Sequence, residues 1–183
     1  MSIRAYFQRR KIQKTDRHND RNKHMKNLSE IRSVLILASF DNKEEYDKWK
    51  LYYQNMSKEK RKINLLAFVD NKLEELSMKG TSENIILPSQ ISWTGMLKKG
   101  ISIDHIIDQN YDLLIDMNFK KIFILNWAFV KIKSLLRVGA DIETIMEPFY
   151  DLKIKTKDAI HQPKLFVDQV FYFLEKINNN GNK

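Results

Sequence analysis

The sequence predicts an α/β domain: a single open, mostly parallel, doubly wound sheet with helices on both faces, preceded by a basic N-terminal arm. Three observations carry this. Two continuous apolar runs of strand length, RSVLILASF (32–40) and KINLLAFVD (62–70), flank an amphipathic stretch, the pattern of two buried strands joined by a right-handed crossover helix. Strand-like and helix-like patterns keep alternating to the C-terminus. Charge is sharply divided: residues 1–29 hold 9 of the 32 Lys and Arg but 2 of the 23 Asp and Glu, so they carry +7 of the net +9.

Beyond Met1 and Ala5 the arm has apolar residues only at Ile3, Tyr6, Phe7, Ile12, Met25 and Leu28, too few to bury a face along its length, so disorder or a partner-induced helix is expected over 1–29. After the first strand, Asp41 and Glu44 have capping-box spacing. Tyr46, Trp49, Tyr53 and Met56 follow at helical intervals and predict a helix over 42–59. Beyond the second strand, the short apolar run 85–87 before Pro88 reads as an edge strand, and SWTGMLKKG (92–100) as a loop. Ser102 can cap a short helix carrying Ile103, Ile106 and Ile107, and YDLLIDMN (111–118) reads as an interior strand. Residues 119–133 are apolar almost all round, so this helix must lie in the core or form an interface, the core being the better reading. SLLRVGAD (134–141) reads as a strand ending at Gly139, and FYDLKIKT (149–156) alternates like a half-exposed one. Pro163 opens a closing helix with Phe166, Val170, Phe173, Leu174 and Ile177 on its apolar face, while Tyr172 is expected outside it. The domain boundaries follow as a basic arm 1–29, a Rossmann-like α/β domain 30–177 and a disordered tail 178–183.

Composition narrows the chemistry. The chain has no Cys, which excludes disulfides, thiolate zinc sites and thiol nucleophiles and suits a reducing cytoplasm. Charges at Arg4, Arg9 and Arg10 interrupt any signal-peptide core, and the most apolar run, 122–130, is far shorter than the roughly 20 residues that span a bilayer. Neither G-x-G-x-x-G nor G-x-x-x-x-G-K-[ST] occurs, so no dinucleotide or P-loop cofactor is expected. His18 and His24 stand in the arm without Cys or an acidic cluster, and His105 and His161 are isolated. Asp104 and Asp108 share a helix face with His105 turned aside, a solvated face rather than a metal site.

Candidate ligand contacts remain at the C-terminal strand ends. Asp116 lies near the end of its strand, where open α/β sheets bind ligands, while Asp112 marks the strand's start. Asp41 follows the first strand and is read as a helix cap. In SWTGMLKKG, Trp93 is expected to pin the loop to the core; the sharper alternative has Trp93 stacking on a base with Lys98 and Lys99 on phosphates.

Taken together, the basic leader, WTG before a helix, YDLLIDMN, an apolar helix, RVG and a closing apolar helix resemble an uncharacterised family of small basic bacterial α/β proteins, over nearly the whole chain. More distantly, YDLLIDMN, the apolar helix and LLRVGAD are similar over about 30 residues to the N-terminal Rossmann-like domain of the ADP-heptose glycosyltransferases. That resemblance implies a fold. It would imply a catalytic acid near Asp41, but the Gly-containing loop that follows the first strand in those enzymes is missing here, and so is their second nucleotide-sugar domain.

The functional expectation is a non-enzymatic cytoplasmic protein that binds RNA, ribosomal or pre-ribosomal, through the phosphate contacts of Arg4, Arg9, Arg10, Lys11, Lys14, Arg17, Arg21, Lys23 and Lys26. The alternatives are a glycosyltransferase-like enzyme or small-ligand binder with a pocket near Asp41, Trp93 and Asp116, and a peripheral binder of anionic membrane through Ile3, Tyr6 and Phe7. The apolar helix around Phe123, Trp127 and Val130 is a candidate surface for a protein partner.

Overall fold

The computed structural model describes residues 2–16, 28–56, 61–72, 78, 84–120, 122–141, 150–155 and 163–179. Six strands form one open sheet: β1 (Ser33–Phe40), β2 (Lys62–Val69), β3 (Ile85–Ile86), β4 (Asn110–Met117), β5 (Lys133–Ala140) and β6 (Leu152–Ile154), in the order β3-β2-β1-β4-β5-β6. Every pairing is parallel. This is the Rossmann-like order, whose direction reverses between β1 and β4. The expected doubly wound sheet is present, and it is wholly parallel.

The strands alternate their side chains between two cores. Val34, Ile36, Ala38 and Phe40 meet Tyr46, Trp49 and Tyr53 of α2 (Lys43–Met56) and Phe166, Val167, Val170 and Leu174 of the last helix, α5 (Pro163–Asn179). Leu35 and Leu37 face the other way. They join Ile106 and Ile107 of the short α3 (Asp104–Ile107) and Ile124, Leu125, Ala128 and Phe129 of α4 (Phe123–Lys131). Because both faces are covered, the strands carry no polar face, which is why β1 and β2 read as unbroken apolar runs.

Two local readings are corrected. The residue that caps α2 is Asn42, not Asp41: its Oδ1 accepts the Glu45 N–H at 2.8 Å, and Glu45 Oε2 accepts the Asp41 N–H at 2.9 Å. The strand runs through Phe40 and the helix starts at Lys43, so the capping position falls one residue later than the Asp41/Glu44 spacing suggests. On α5, Phe173 stands exposed beside Tyr172, because the buried stripe follows Phe166, Val167, Val170 and Leu174 and Phe173 lies off it. Ser102 lies one residue ahead of the capping position of α3, which is Ile103, although its hydroxyl accepts the Asp104 N–H at 3.0 Å.

The largest departure is in the arm. Residues Ile3–Asp16 form a helix, α1, which lies on α4 as an extra layer outside the sheet sandwich. Ser2 caps it by accepting the Ala5 N–H at 3.2 Å. The physical reason is α4 itself, which is apolar on both sides: the sheet covers one side, and the other needs a second element. An isolated helix of this length is marginal in water, so docking supplies the stability its composition lacks. The expected tail 178–183 and the remainder of the arm, 17–27, fall largely outside the described residues.

Candidate nucleic-acid interface

The docked face of α1 is the half-buried stripe Ala5, Gln8, Ile12 and Thr15, at helical spacing. Ile12 packs into the core cluster on the α4 side, and Lys11 places its ammonium 5.9 Å from the centre of the Trp127 ring. Lys131, one turn further along α4, approaches the same ring at 5.4 Å, so the Trp127 ring of α4 meets one cation from each helix.

The second anchor is the WTG loop. Ile91 and Leu97 form an antiparallel bridge, the Ser92 N–H donates to Met96 O at 2.7 Å, and the Gly95 N–H to Ser92 O at 2.9 Å, closing a tight turn. Gln8 Nε2 donates to Thr94 O at 2.9 Å. Gly95 makes this approach possible. Its φ is +89°, and a Cβ there would stand 2.6 Å from Gln8 Nε2 and 2.8 Å from Phe123 Cδ1. The glycine of WTG is therefore the seat on which α1 and the start of α4 come together.

With its seat set back, the loop projects Trp93, which is 70% exposed. The expectation that Trp93 pins the loop to the core is overturned; Gly95 and the turn hydrogen bonds fix the loop instead. Between this loop and α1 runs a groove of about 610 Å³, lined by Phe7, Arg10, Lys11, Lys14, Trp93 and Met96, with Gln8, Thr94 and Phe123 at its floor. Tyr6 and Phe7 stack edge to face at 5.9 Å, and Arg10 lies 6.0 Å over Tyr6. Arg4, Arg9, Arg10, Lys11 and Lys14 are all exposed. Two features that are far apart in sequence, the basic arm and Trp93, thus form one surface.

The remaining predicted contacts lie elsewhere. Arg4 lines a second cavity, of about 520 Å³, with Lys72, Ser92 and Phe68. Arg9 faces solvent outside the groove, and Lys98 and Lys99 are exposed beyond the Leu97 bridge without lining it. Arg17, Arg21, Lys23 and Lys26 fall outside the described residues.

Asp41, 70% exposed at the end of β1, forms an ion pair with Lys120 from the turn after β4. Asp116 is buried. Tyr150 donates its hydroxyl to Oδ2 at 2.6 Å and the Asn118 N–H donates to Oδ1 at 2.9 Å, while burial pushes the carboxyl's pKa upward. Asn118 in turn accepts the Ile122 N–H at 2.8 Å and donates to Ile122 O and Asn126 Oδ1, shaping the entry into α4. Asp112 accepts from the N–H groups of Arg32 and Ser33 at 2.9 and 3.0 Å, fixing β1 to β4 at their starts. The carboxylates of YDLLID therefore act as two separate structural ties. Asp104 and Asp108 both approach Lys131, at 3.4 and 3.7 Å, and His105 turns to Asn84.

Several of these residues escape sequence reasoning. Gln8 and Thr94 are polar and local patterns give them no signal; Gly95 gives one through its place in WTG. Arg137 sits in the middle of a strand yet is buried, its Nη2 donating to Val130 O at 3.1 Å and Ile132 O at 2.9 Å at the end of α4, with the guanidinium 5.1 Å from the Phe129 ring. The R of RVG closes a helix and the G clears a path for Tyr150.

No curated protein and no solved structure matches the chain significantly. One family model does, over residues 4–177, a span that takes in most of α1 as well as the sheet. By that match the chain belongs to a family of unknown function, DUF6913.

Proposed function

We propose that this chain is a non-enzymatic RNA-binding protein whose helix α1 contacts the phosphate backbone. One observation carries the reading: α1 is held by a stripe of Ala5, Gln8, Ile12 and Thr15, which leaves Arg4, Arg9, Arg10, Lys11 and Lys14 exposed on a helix already positioned by the fold. Cations fixed in place bind a polyanion with less ordering cost than cations on a disordered tail. Such a surface suits a structured RNA, ribosomal or pre-ribosomal, in the cytoplasm, and the absence of Cys accords with a reducing compartment. The exposed Ile3, Tyr6 and Phe7 on the same helix favour one competing reading, an anionic membrane surface.

The test is a salt titration of RNA affinity with the full chain and with Arg9, Arg10 and Lys14 changed together to Gln, sparing Lys11 because it packs on Trp127. The wild type should lose affinity linearly on a log-log plot, with a slope of roughly −0.7 per contacted phosphate on single strands, and the variant's slope should be shallower by up to about 2. Equal affinity and slope in the two proteins would refute the reading. Binding to phosphatidylglycerol vesicles but not to RNA would replace it with the membrane alternative.

A further inference from the structure

We infer that the groove between α1 and the WTG loop is a base-stacking site, so that it takes a single-stranded loop or end of the RNA rather than a duplex segment; the inference rests on the RNA-binding reading above. The argument starts from Trp93. A tryptophan 70% exposed at the tip of a turn costs hydration free energy and adds nothing to the core. The turn that carries it is not loose. It is closed by the Ser92 and Gly95 backbone hydrogen bonds and by Ser92 Oγ donating to Met96 O at 2.9 Å, so the ring is presented on a fixed support. Phe7, 52% exposed, lines the same groove from α1, with Met96 and Phe123 adding apolar wall.

Charge selects the occupant. Among the described residues Arg10, Lys11 and Lys14 line this groove and no acidic side chain does, so an apolar ligand alone would not draw on its positive charge, and an acidic peptide leaves the exposed rings without flat partners. A single-stranded nucleic acid satisfies both: its bases stack on Trp93 and Phe7 while its phosphates follow the cations of α1. A duplex keeps its bases stacked on one another and offers this groove only its backbone.

The experiment compares binding of single-stranded and duplex RNA, each about 12 nucleotides long, to the wild type and to Trp93→Ala, Phe7→Ala and Trp93→Phe. Both positions are more than half exposed, so the variants should keep the wild-type thermal transition. The wild type should prefer the single strand. Trp93→Ala should weaken single-strand binding about tenfold or more, Phe7→Ala in the same direction, and Trp93→Phe should retain most of the affinity. Duplex affinity and the salt slope should be unchanged in all three. Single-strand affinity unaltered by Trp93→Ala, in a protein whose salt slope still depends on Arg9, Arg10 and Lys14, would overturn the stacking site and leave the phosphate contacts standing. No RNA binding by the wild type would overturn both.

Discussion

Asp116 and Gly139 are register partners on β4 and β5, and Tyr150 joins them: its ring crosses Gly139 so closely that a Cβ there would lie 2.2 Å from Cε1, and its hydroxyl reaches Asp116 at 2.6 Å. The glycine of RVG and the second acid of YDLLID thus serve one contact, in which the missing side chain lets a phenol cross the strand to a buried carboxyl. Gly139→Ala should destabilise the protein by about 1–3 kcal/mol or more, because the ring has to be displaced. Tyr150→Phe should cost about 1–3 kcal/mol by leaving Asp116 with one donor fewer. Chemical denaturation measures both, and a neutral Gly139→Ala would contradict the packing.

The same carboxyl sets a pH dependence. Burial raises the pKa of Asp116 in the folded chain above its unfolded value near about 3.9, so the folded state holds this proton more tightly. Its contribution to stability is greatest at acid pH and is lost as pH rises through the folded pKa. The stability of the wild type minus that of Asp116→Asn should therefore decrease from acid towards neutral pH. A difference that grows with pH would contradict the burial.

The start of α2 separates a cap from a surface ion pair. Asn42→Ala should cost about 1 kcal/mol, since it removes the acceptor of the Glu45 N–H. Asp41→Ala, which removes only the exposed pair with Lys120, should cost about 0–1 kcal/mol. The reverse ranking in denaturant midpoints would restore Asp41 as the cap.

Gly95 controls the docking of α1. Gly95→Ala places a Cβ against Gln8 and Phe123 at a φ of +89°, where an L-residue costs roughly 1–2 kcal/mol before any clash is counted. Amide exchange over residues 3–16 should accelerate in this variant relative to β1 and β4. Unchanged protection of α1 would show that the WTG seat is not what holds it.

The sheet was legible because its signals are local: β1, β4 and β5 are buried on both faces over most of their length and β2 from Leu66 onward, and a run such as SVLILASF has no other comfortable environment. The first half of the arm, Ile3–Asp16, was misread for the opposite reason. Its docked stripe alternates Ala5 and Ile12 with Gln8 and Thr15, its larger apolar residues Ile3, Tyr6 and Phe7 point outward, and only α4, more than a hundred residues later, explains why it folds. Ser2 caps this helix, but a capping residue without an apolar face behind it carries little weight in a sequence. For the candidate site, the cations and Trp93 could each be picked out, but not their meeting in one groove. That depends on a positive φ at Gly95 and a single hydrogen bond from Gln8 to Thr94, contacts between distant segments that no periodicity records.

Ultraviolet cross-linking of RNA to the full chain at low salt, with the attached peptides identified by mass spectrometry, tests the central claim most directly. The account predicts adducts in two places, on α1 around Phe7 to Lys14 and on the WTG loop at Trp93, both lost at high salt. Adducts confined to the opposite face, around α2 and α5, or no RNA bound at low salt, would contradict it.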